Sequence, residues 1–258
     1  MFSFLDPNAM AIVKDELSIK IEVTPHLEQC YHTTQVVDEE GVPMVRVNIE
    51  FNATAPLSKI RVGIDVTEPL VVTQSSFIIN SLTDVYKTDV TCYLFYPVIP
   101  TDMNMTVTAA YICDKGRPVV ITNVTSLPLR LIVKPCAPIK EADYKVTIST
   151  NKPAVSLLDL FPEFILDSTM SNAAGFQYFG GPYVTVLSSK TSQRYRLQSD
   201  NLACLWLLVQ SLYNRLSKKF SQDKMGLECS YSSSLPLHEY YSEIELHFHK
   251  RKKLMGKV

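Results

Sequence analysis

The stretch that decides the fold is Val45-Arg-Val-Asn-Ile-Glu-Phe51, in which apolar and polar residues alternate without a break. Successive residues of a β-strand point to opposite faces, so this pattern predicts a strand with one buried and one solvated face. The same alternation recurs in residues 60–64 and again in residues 105–111. The first half of the chain therefore has a β period and no sustained helical one.

Other short stretches complete a set of seven or eight predicted strands. Their limits are Leu17–Val23, 70–73, 89–95 and 129–133. Turn-forming residues separate the strands, among them Glu40-Gly41, Ala55-Pro56 and Asp114-Lys115-Gly116. Short strands with frequent turns predict a mainly β fold, an antiparallel immunoglobulin-like β-sandwich.

The chemical character changes at a short proline-bearing segment, Lys134-Pro-Cys-Ala-Pro-Ile-Lys140. Proline makes a linker stiffer and so limits the relative motion of the segments that it joins. We therefore predict a β-sandwich over 1–135, a linker over 136–142 and a second, smaller domain over 143–258.

Strand and helix signals alternate in this second domain. The predicted strands are 144–148, a hairpin joining 176–179 to 183–187, 194–198 and 227–231, and the predicted helices are 153–160, 200–220 and 237–254. The middle helix has Asp200 as its predicted N-cap and one apolar face. That face consists of Leu202, Leu205, Trp206, Val209, Leu212, Tyr213, Leu216 and Phe220. The element order predicts a small α/β platform, with helices against one face of an antiparallel sheet.

Bulk properties describe an ordinary globular protein. Hydrophobic residues make up 46% of the chain, and the net charge of −1 gives no general attraction to nucleic acid. The six cysteines are scattered and form no C-x-x-C pair, which favours reduced cytosolic thiols. Three N-x-T sequons, at Asn52, Asn104 and Asn123, are compatible with a secreted glycoprotein but also arise by chance in a threonine-rich β protein.

No motif for catalysis stands out. His247 and His249 are two residues apart, whereas two histidine ligands of a zinc site on one helix are four residues apart. The chain has no Gly-x-Ser-x-Gly, and its glycines at 175, 180 and 181 are not followed by the Gly-Lys-Ser/Thr of a phosphate loop. We therefore expect no enzyme, no catalytic residues, no cofactor and no metal.

Aromatic side chains of the second domain are candidates for a partner interface, since aromatic residues are enriched at interfaces. They are Trp206, Tyr213, Phe220, Tyr240, Tyr241 and Phe248. For each one, burial in the small domain's core is the plainer expectation, and Trp206 in particular shares the apolar helix face. The basic run Lys250, Arg251, Lys252 and Lys253 is a candidate lipid contact, with a solvated helix end as the plainer expectation.

A sandwich followed by a helix-on-sheet platform resembles the appendage ("ear") domains of vesicle-coat adaptors. Residues 145–164, the helix around Leu205-Trp206-Leu207 and the run 235–248 look like the family of the parathyroid-hormone-responsive B1 proteins. That family is Bardet–Biedl syndrome protein nine, a subunit of the BBSome. In it a β-propeller precedes the sandwich and a helical region follows the platform, so the resemblance implies a piece of a longer protein.

The resemblance implies a non-catalytic scaffold of the BBSome, a coat-like complex that moves membrane proteins into and out of cilia. It implies other BBSome subunits as partners, with membrane-protein cargo and an Arf-like GTPase engaged by the whole complex. The implied location is the cytoplasm and the cilium, including the ciliary base, basal body and centriolar satellites, and the periphery of the ciliary membrane.

Two other hypotheses stay open. A clathrin-adaptor-type ear would bind short linear peptides of accessory proteins, of the DxF or WxxF kind. An extracellular β-sandwich glycoprotein would use the sequons and pair its even number of cysteines.

Overall fold

The computed structural model describes residues 16–24, 28–30, 42–166, 172–189, 191, 193–223 and 226–233. Within these ranges the chain divides into two compact units. The first contains the described residues up to Leu94 together with Met103–Pro128, and the second contains Phe95–Asp102 and the described residues from Leu129 onward.

The first unit is a β-sandwich of two antiparallel sheets. One sheet has the order β1-β3-β7-β5 with β2 also paired to β3, and the other has the order β6-β4-β8-β9. The strands are β1 Leu17–Val23, β2 Glu28–Cys30, β3 Val42–Ala53, β4 Leu57–Val66, β5 Leu70–Val72, β6 Ser76–Leu82, β7 Val85–Leu94, β8 Asn104–Ile112 and β9 Pro118–Ser126.

The alternating stretch predicted to decide the fold is the core of β3. Val45, Val47, Ile49 and Phe51 are buried, and the residues between them are exposed or half-buried. The alternating stretches of β4 and β8 bury their apolar residues in the same way, at Ile60–Ile64 and Met105–Tyr111. The prediction of an antiparallel sandwich is confirmed, and its physical cause is the period-two burial of these three strands.

The second unit is a six-stranded antiparallel sheet with helices, in the strand order β10-β12-β13-β14-β11-β15. Its elements are a 3-10 turn Leu129–Leu131, β10 Val133–Cys136, β11 Tyr144–Thr150, α1 Leu157–Leu160, β12 Ala173–Tyr178, β13 Tyr183–Ser189, β14 Arg194–Ser199, a 3-10 turn Leu202–Cys204, α2 Leu205–Lys219 and β15 Cys229–Ser233. The predicted platform architecture and its central hairpin are confirmed.

The predicted strand at 129–133 is wrong. Leu129–Leu131 is a 3-10 turn, and the strand that follows it is Val133–Cys136. Leu129, Leu131, Ile132 and Val133 are all buried, so their apolar spacing reflects complete burial rather than a strand face. The predicted limits at 135 and 143 place β10 with the sandwich, whereas its pairing with β12 places it in the second unit's sheet.

Residues 137–143, which we call the strap, join β10 to β11 across the face of this sheet. The registers Cys136↔Gly175, Gly175↔Thr185 and Thr185↔Gln198 define one row, and the strap follows it. The Ile139 amide donates to Thr185 Oγ1 at 2.8 Å, and Gln198 Nε2 donates to the carbonyl of Ile139 at 2.9 Å. These bonds fasten the strap to the two central strands.

Gly175 makes the close approach of the strap possible. A Cβ at this position would lie 2.5 Å from the Cys136 carbonyl oxygen and 2.7 Å from Ala137 backbone atoms. Real Cβ atoms do not come this near to a neighbouring backbone, so only glycine fits beneath the start of the strap.

Two predicted helix boundaries are wrong. The helix predicted over 153–160 is shorter, because the Tyr195 hydroxyl accepts from the amide of Val155 at 2.7 Å and Ser156 caps α1. Asp200 is not the N-cap: Asn201 caps the 3-10 turn, where its side chain accepts from the amide of Ala203 at 2.9 Å, and α2 itself begins after Cys204 without a side-chain cap. Asp200 instead accepts from the amide of Asp143 at 3.2 Å, next to the strap.

Candidate functional site

The second unit has a groove beside α2, with a volume of about 1210 Å³. We call it the α2 groove. One wall is the first half of α2 with the turn before it, and the other wall is formed by β11 and β15. Its lining residues are Tyr144, Val146, Asp200, Asn201, Leu202, Ala203, Leu205, Trp206, Val209, Gln210, Tyr213, Asn214, Tyr231 and Ser232.

Three aromatic side chains of the α2 groove are partly in solvent. Trp206 is 56% exposed, Tyr231 is 55% exposed and Tyr213 is 37% exposed. Single exposed apolar residues are ordinary on a protein surface, but three large rings around one concavity are a feature of docking sites. The chemical character of the groove is therefore that of a surface for apolar or aromatic side chains.

The buried face of α2 fixes the orientation of Trp206. Leu205, Leu208, Leu212 and Leu216 are buried, and this stripe turns Trp206 and Tyr213 to the outer side of the helix. The expectation that Trp206 is a core residue is wrong for this reason. Leu207 and Leu208, which the sequence pattern left off the apolar face, are buried instead.

A buried polar cluster holds the beginning of α2. The Tyr178 hydroxyl donates to the Cys204 carbonyl at 2.8 Å, and Ser199 Oγ lies 2.9 Å from Cys204 Sγ. Burial raises the pKa of Tyr178, with the Cys204 thiol as a second cause. Burial also raises the pKa of the Cys204 thiol. Both groups keep their protons at neutral pH, so these contacts are structural hydrogen bonds.

An ion pair holds the second half of α2. Arg215 binds both carboxylate oxygens of Glu163, with Nη1 to Oε2 at 2.9 Å, and it also donates to the Leu160 carbonyl. Its guanidinium carbon lies 4.7 Å from the centroid of the Phe161 ring. Bidentate pairing and stacking on a ring are both specific to arginine, so α1 and α2 have a fixed relation within this unit.

The structure brings together only part of the predicted interface. Trp206 and Tyr213 line the α2 groove, whereas Phe220 is half-buried at the C-cap of α2 and does not line it. Tyr240, Tyr241 and Phe248 lie outside the described residues, as do the basic run Lys250, Arg251, Lys252 and Lys253 and the helix predicted at 237–254. A partner or lipid role for these residues stays a prediction.

Sequence reasoning missed two groove residues on strands, Tyr144 and Tyr231. A strand's period places Tyr231 on the same side of β15 as Cys229, but the sequence does not say that β15 pairs with β11. Only that long-range pairing, Ile148↔Tyr231, brings the two strands beside α2.

The first unit carries a second apolar surface on the outer face of the sheet β6-β4-β8-β9. Its exposed large side chains are Ile78, Ile112, Val120 and Val124. Ile78, Arg61, Ala110 and Val120 form one row across the four strands, in which the exposed Arg61 lies between the two large apolar side chains. Ile112 and Val124 lie on the same face outside this row. We call this surface the outer sheet face. Sequence reasoning missed it because β6 and β9 were not predicted as strands.

Among its described residues, the first unit has one group of side chains that could hold a metal ion. Glu16, Cys113 and Asp114 lie close together, and a hydrogen bond to Asp114 raises the pKa of Glu16. Cys92, Cys113, Cys136, Cys204 and Cys229 are free thiols. No helix in the described part of the chain is long and apolar enough to span a membrane.

All three sequon side chains make hydrogen bonds within the sandwich, and Asn104 Oδ1 accepts from Ser126 Oγ at 3.3 Å. Asn123 Nδ2 donates to the Ile19 carbonyl at 2.7 Å, and Asn52 Nδ2 donates to Glu50 at 3.0 Å. A glycan on Asn123 would break the contact between β9 and β1. These bonds and the five free thiols give no support to the glycoprotein hypothesis.

Comparison with known proteins matches both units to one family. A family model described as the PTHB1 GAE domain matches residues 40–124, and one described as the PTHB1 platform domain matches residues 128–234. The first match falls on the sandwich and the second on the six-stranded sheet with its helices, so the two matches follow the two units of the structure.

Curated relatives extend the match over most of the chain. Protein PTHB1 of Homo sapiens is 38% identical over 251 residues, which is 92% of this chain and 28% of the relative. Protein PTHB1 of Xenopus laevis is 34% identical over 250 residues, again 92% of this chain and 29% of the relative. The chain therefore spans less than a third of the length of these relatives.

Among solved structures, the crystal structure of the GAE domain of yeast GGA1 matches at 16% identity. The match covers 44% of this chain and 93% of that chain, with a TM-score of 0.26, a value too low to carry an argument. The family matches and the observed β-sandwich together define the first unit as an adaptor-ear (GAE) module. By both of its domains, this chain belongs to the PTHB1 family.

Proposed function

We propose that this chain is a non-catalytic scaffold module of the BBSome, the coat-like complex that moves membrane proteins into and out of cilia. The observation that carries the proposal is its membership of the PTHB1 family by both the GAE and the platform domain. An ear-type sandwich and a platform are domains that bind other proteins, and neither unit has a catalytic motif in its sequence.

The proposal includes the partners and the location of the module. Its direct partners are other BBSome subunits, and membrane-protein cargo and an Arf-like GTPase are engaged through the whole complex. The module then resides in the cytoplasm and at the cilium, from the basal body and centriolar satellites to the ciliary membrane. The basic run at 250–253 gives it a peripheral contact with anionic lipid.

The outer sheet face supports a scaffold role. Val120 and Val124 belong to β9, which is the last strand of its sheet, and both are more than half exposed. Exposed apolar side chains on the last strand of a sheet provide area for docking another protein. Burying such side chains against a partner is the main source of binding free energy for a scaffold.

The test is co-purification of the tagged chain from ciliated cells, followed by mass spectrometry. We expect several BBSome subunits with the parent chain and a strong loss of them with Val120→Asp/Val124→Asp. The matched control is Val85→Asp, which places the same charge on an exposed valine of the other sheet. Absence of BBSome subunits from the parent sample contradicts the proposal.

A second candidate function, an ear-type module that binds short linear peptides, is favoured by the α2 groove. An exposed tryptophan beside Leu202, Leu205 and Val209 can hold the aromatic side chain of a DxF or WxxF peptide. Fluorescent peptides of these two kinds should bind at micromolar affinity, and Trp206→Ala should abolish the binding. Asn214→Ala, on the groove's polar rim, is the control, and a panel with no saturable binding rejects this function.

A further inference from the structure

The end of the α2 groove at which α2 begins is acidic and aromatic. Tyr144 pairs with Ser199, the residue before Asp200, and the amide of Asp143 donates to Asp200 Oδ1 at 3.2 Å. Asp200 precedes the 3-10 turn, and Trp206 is the second residue of α2, directly after that turn. One carboxylate and two rings, those of Tyr144 and Trp206, therefore border the same end of the groove.

The other end of the α2 groove is bordered by two more rings, those of Tyr213 and Tyr231. Tyr231 pairs with Ile148, which lies four residues along β11 from Tyr144. Tyr213 lies seven residues along α2 from Trp206, a distance of about 10 Å at 1.5 Å per residue. The groove therefore has an apolar, aromatic site about 10 Å from its acidic end.

The charge of the groove is complementary to a cation. Among the described residues that line it, Asp200 is the single charged one, and it is exposed. An ionised carboxylate has about four acceptor positions, of which the Asp143 amide uses one. The faces of the four rings are also electron-rich and attract a cation. The partial positive charge at the start of α2, roughly half a unit charge, offsets the carboxylate only in part.

The same unit already binds one of its own arginines with a ring and a carboxylate. The guanidinium carbon of Arg215 lies 4.7 Å from the centroid of the Phe161 ring, and its nitrogens bind both carboxylate oxygens of Glu163. The α2 groove presents the same two kinds of group, but no arginine, lysine or histidine of the described chain lines it. An arginine of another protein can therefore bind there by the same contacts.

We propose that the α2 groove recognises an extended segment of a partner protein that carries an arginine and, about three residues from it, a large apolar side chain. The arginine stacks on Trp206 and pairs with Asp200, and the apolar side chain lies against Tyr213 and Tyr231. Three residues of an extended chain span about 9–10 Å, which matches the distance between the two ends of the groove. The proposal rests on the second candidate function, peptide binding, and assigns the class of peptide.

This preference ranks the peptides that the groove binds. The aspartate of a DxF peptide approaches Asp200, and no cation among the described lining residues is present to pair with it. Like charges brought together at a binding surface disfavour the wrong partner. We therefore expect acidic aromatic peptides to bind more weakly than neutral ones, and peptides with an arginine to bind more tightly than both.

The test measures fluorescence anisotropy of labelled peptides that differ at one position of an uncharged host. They contain Arg-Ala-Ala-Phe, Gln-Ala-Ala-Phe or Glu-Ala-Ala-Phe, and each is also measured with the order of these four residues reversed. We expect the parent protein to bind the arginine peptide about fivefold more tightly than the glutamine peptide and about tenfold more tightly than the glutamate peptide.

The reciprocal change is Asp200→Asn, which keeps an acceptor for the Asp143 amide but removes the charge. It should reduce the preference for arginine over glutamine to about twofold, since the stacking on the rings remains. The matched control is Asp159→Asn, which removes the same charge at an exposed position outside the groove and should leave the preference at about fivefold. Added salt should lower the preference of the parent as Asp200→Asn does.

Four results would overturn the proposal. Equal affinity for the three peptides would remove the charge preference and leave the peptide-binding function in place. An unchanged preference in Asp200→Asn would contradict the role of this carboxylate. No saturable binding of any peptide, WxxF peptides included, would reject the peptide-binding function together with the proposal. A dimer of the parent that Trp206→Ala abolishes would show that a second copy occupies the groove.

Discussion

The two units of this chain bury different kinds of side chain. In the described part of the first unit the large buried side chains are apolar, as Val47, Phe51 and Val107 illustrate. The buried polar and charged residues of the described chain are all in the second unit, namely Lys152, Thr185, Ser188, Gln198 and Ser199. The sandwich is held by apolar contacts and strand ladders, whereas the platform also depends on individual hydrogen bonds.

This difference predicts how each unit responds to substitution. An apolar core loses stability in proportion to the volume removed and tolerates similar shapes. A buried polar contact loses more when one partner is removed, because the other partner stays buried and unsatisfied. Substitutions should therefore lower the stability of the platform most at the few positions of its buried polar contacts. In the sandwich the losses should be spread over many core positions.

Two thiols report the two units separately. Cys92 is fully buried in β7 of the sandwich, and Cys204 is fully buried before α2 of the platform. A buried thiol reacts with an alkylating agent only when its unit opens, so pulsed labelling with mass spectrometry gives an opening free energy for each unit. Each prediction below that concerns one unit has the other unit as its internal control.

The largest expected effect is that of Phe51→Ala in the sandwich core. Phe51 is completely buried and packs edge to face on Phe77 at 6.2 Å between ring centroids. Removing its ring should cost about 4 kcal/mol of the free energy of unfolding. Cys92 labelling in denaturant measures this, with the partly exposed Tyr86→Ala as the milder control. An equal rise in Cys204 labelling would mean that the two units unfold together.

The next effect is that of Gly175→Ala beneath the strap. The added methyl group meets backbone at 2.5 Å, which cannot move aside as a side chain does, so the platform should lose about 3 kcal/mol. The matched control is Gly63→Ala in the sandwich, where the nearest atom would be 4.0 Å away and the change should stay within about 0.5 kcal/mol. Equal losses at the two glycines would contradict the role given to the strap.

A smaller effect is expected from Arg215→Met, which keeps the length of the side chain but removes its charge. The Glu163 carboxylate and the Leu160 carbonyl lose their donors, and the platform should lose about 2 kcal/mol, given that the pair is only partly buried. A double-mutant cycle with Glu163→Gln isolates the pair. Lys218→Met, exposed on the same helix, should be neutral.

The smallest expected effect is a loss of platform stability at alkaline pH. Burial is the first cause of the raised pKa of Cys136, Tyr178, Tyr195, Cys204, Cys229 and Tyr231 in the platform. In the sandwich, burial raises the pKa of Cys92 to about 12. A group with a raised pKa holds its proton in the folded state when the unfolded chain has lost it. The resulting stabilisation is present below the ordinary pKa and falls as pH rises above it.

Between pH 8 and pH 10 the platform should therefore lose more stability than the sandwich, because it contains more groups whose pKa burial raises. The denaturant midpoint from Trp206 emission follows the platform, and that from far-UV circular dichroism follows both units. Tyr178→Phe should reduce the pH dependence of the platform alone. A denaturant midpoint of the platform that stays constant up to pH 10 would contradict this prediction.

The same contrast explains what the sequence could predict. The sandwich was predictable because β3, β4 and β8 bury alternate residues, and this period is visible in one sequence. β6 and β9 escaped because the exposed Ile78, Val120 and Val124 stand next to apolar residues of the inner face, so apolar and polar residues do not alternate in these strands. The exposed apolar side chains make the outer sheet face a candidate docking surface. The same side chains make its strands hard to predict from the sequence.

The candidate site was predictable only in part, for a related reason. Trp206 and Tyr213 were named from residue type, but their side of α2 depends on Leu207 and Leu208 being buried instead. The groove itself requires the pairing of β11 with β15, which lie far apart in sequence. Long-range pairing of this kind leaves no periodic pattern in the sequence, so the α2 groove could not be predicted from the sequence.

The strap sets a minimum length for this part of the family's sequence. It must cross from β10 to β11 over four interstrand steps, roughly 19 Å at about 4.8 Å each, and also rise above the sheet. Residues 137–143 with their flanking bonds reach about 26–29 Å when fully extended. Deleting two residues would leave about 20–22 Å, which is barely the crossing distance without the rise, whereas an inserted residue only lengthens the connection. Length variation here should therefore run in one direction, towards longer crossings.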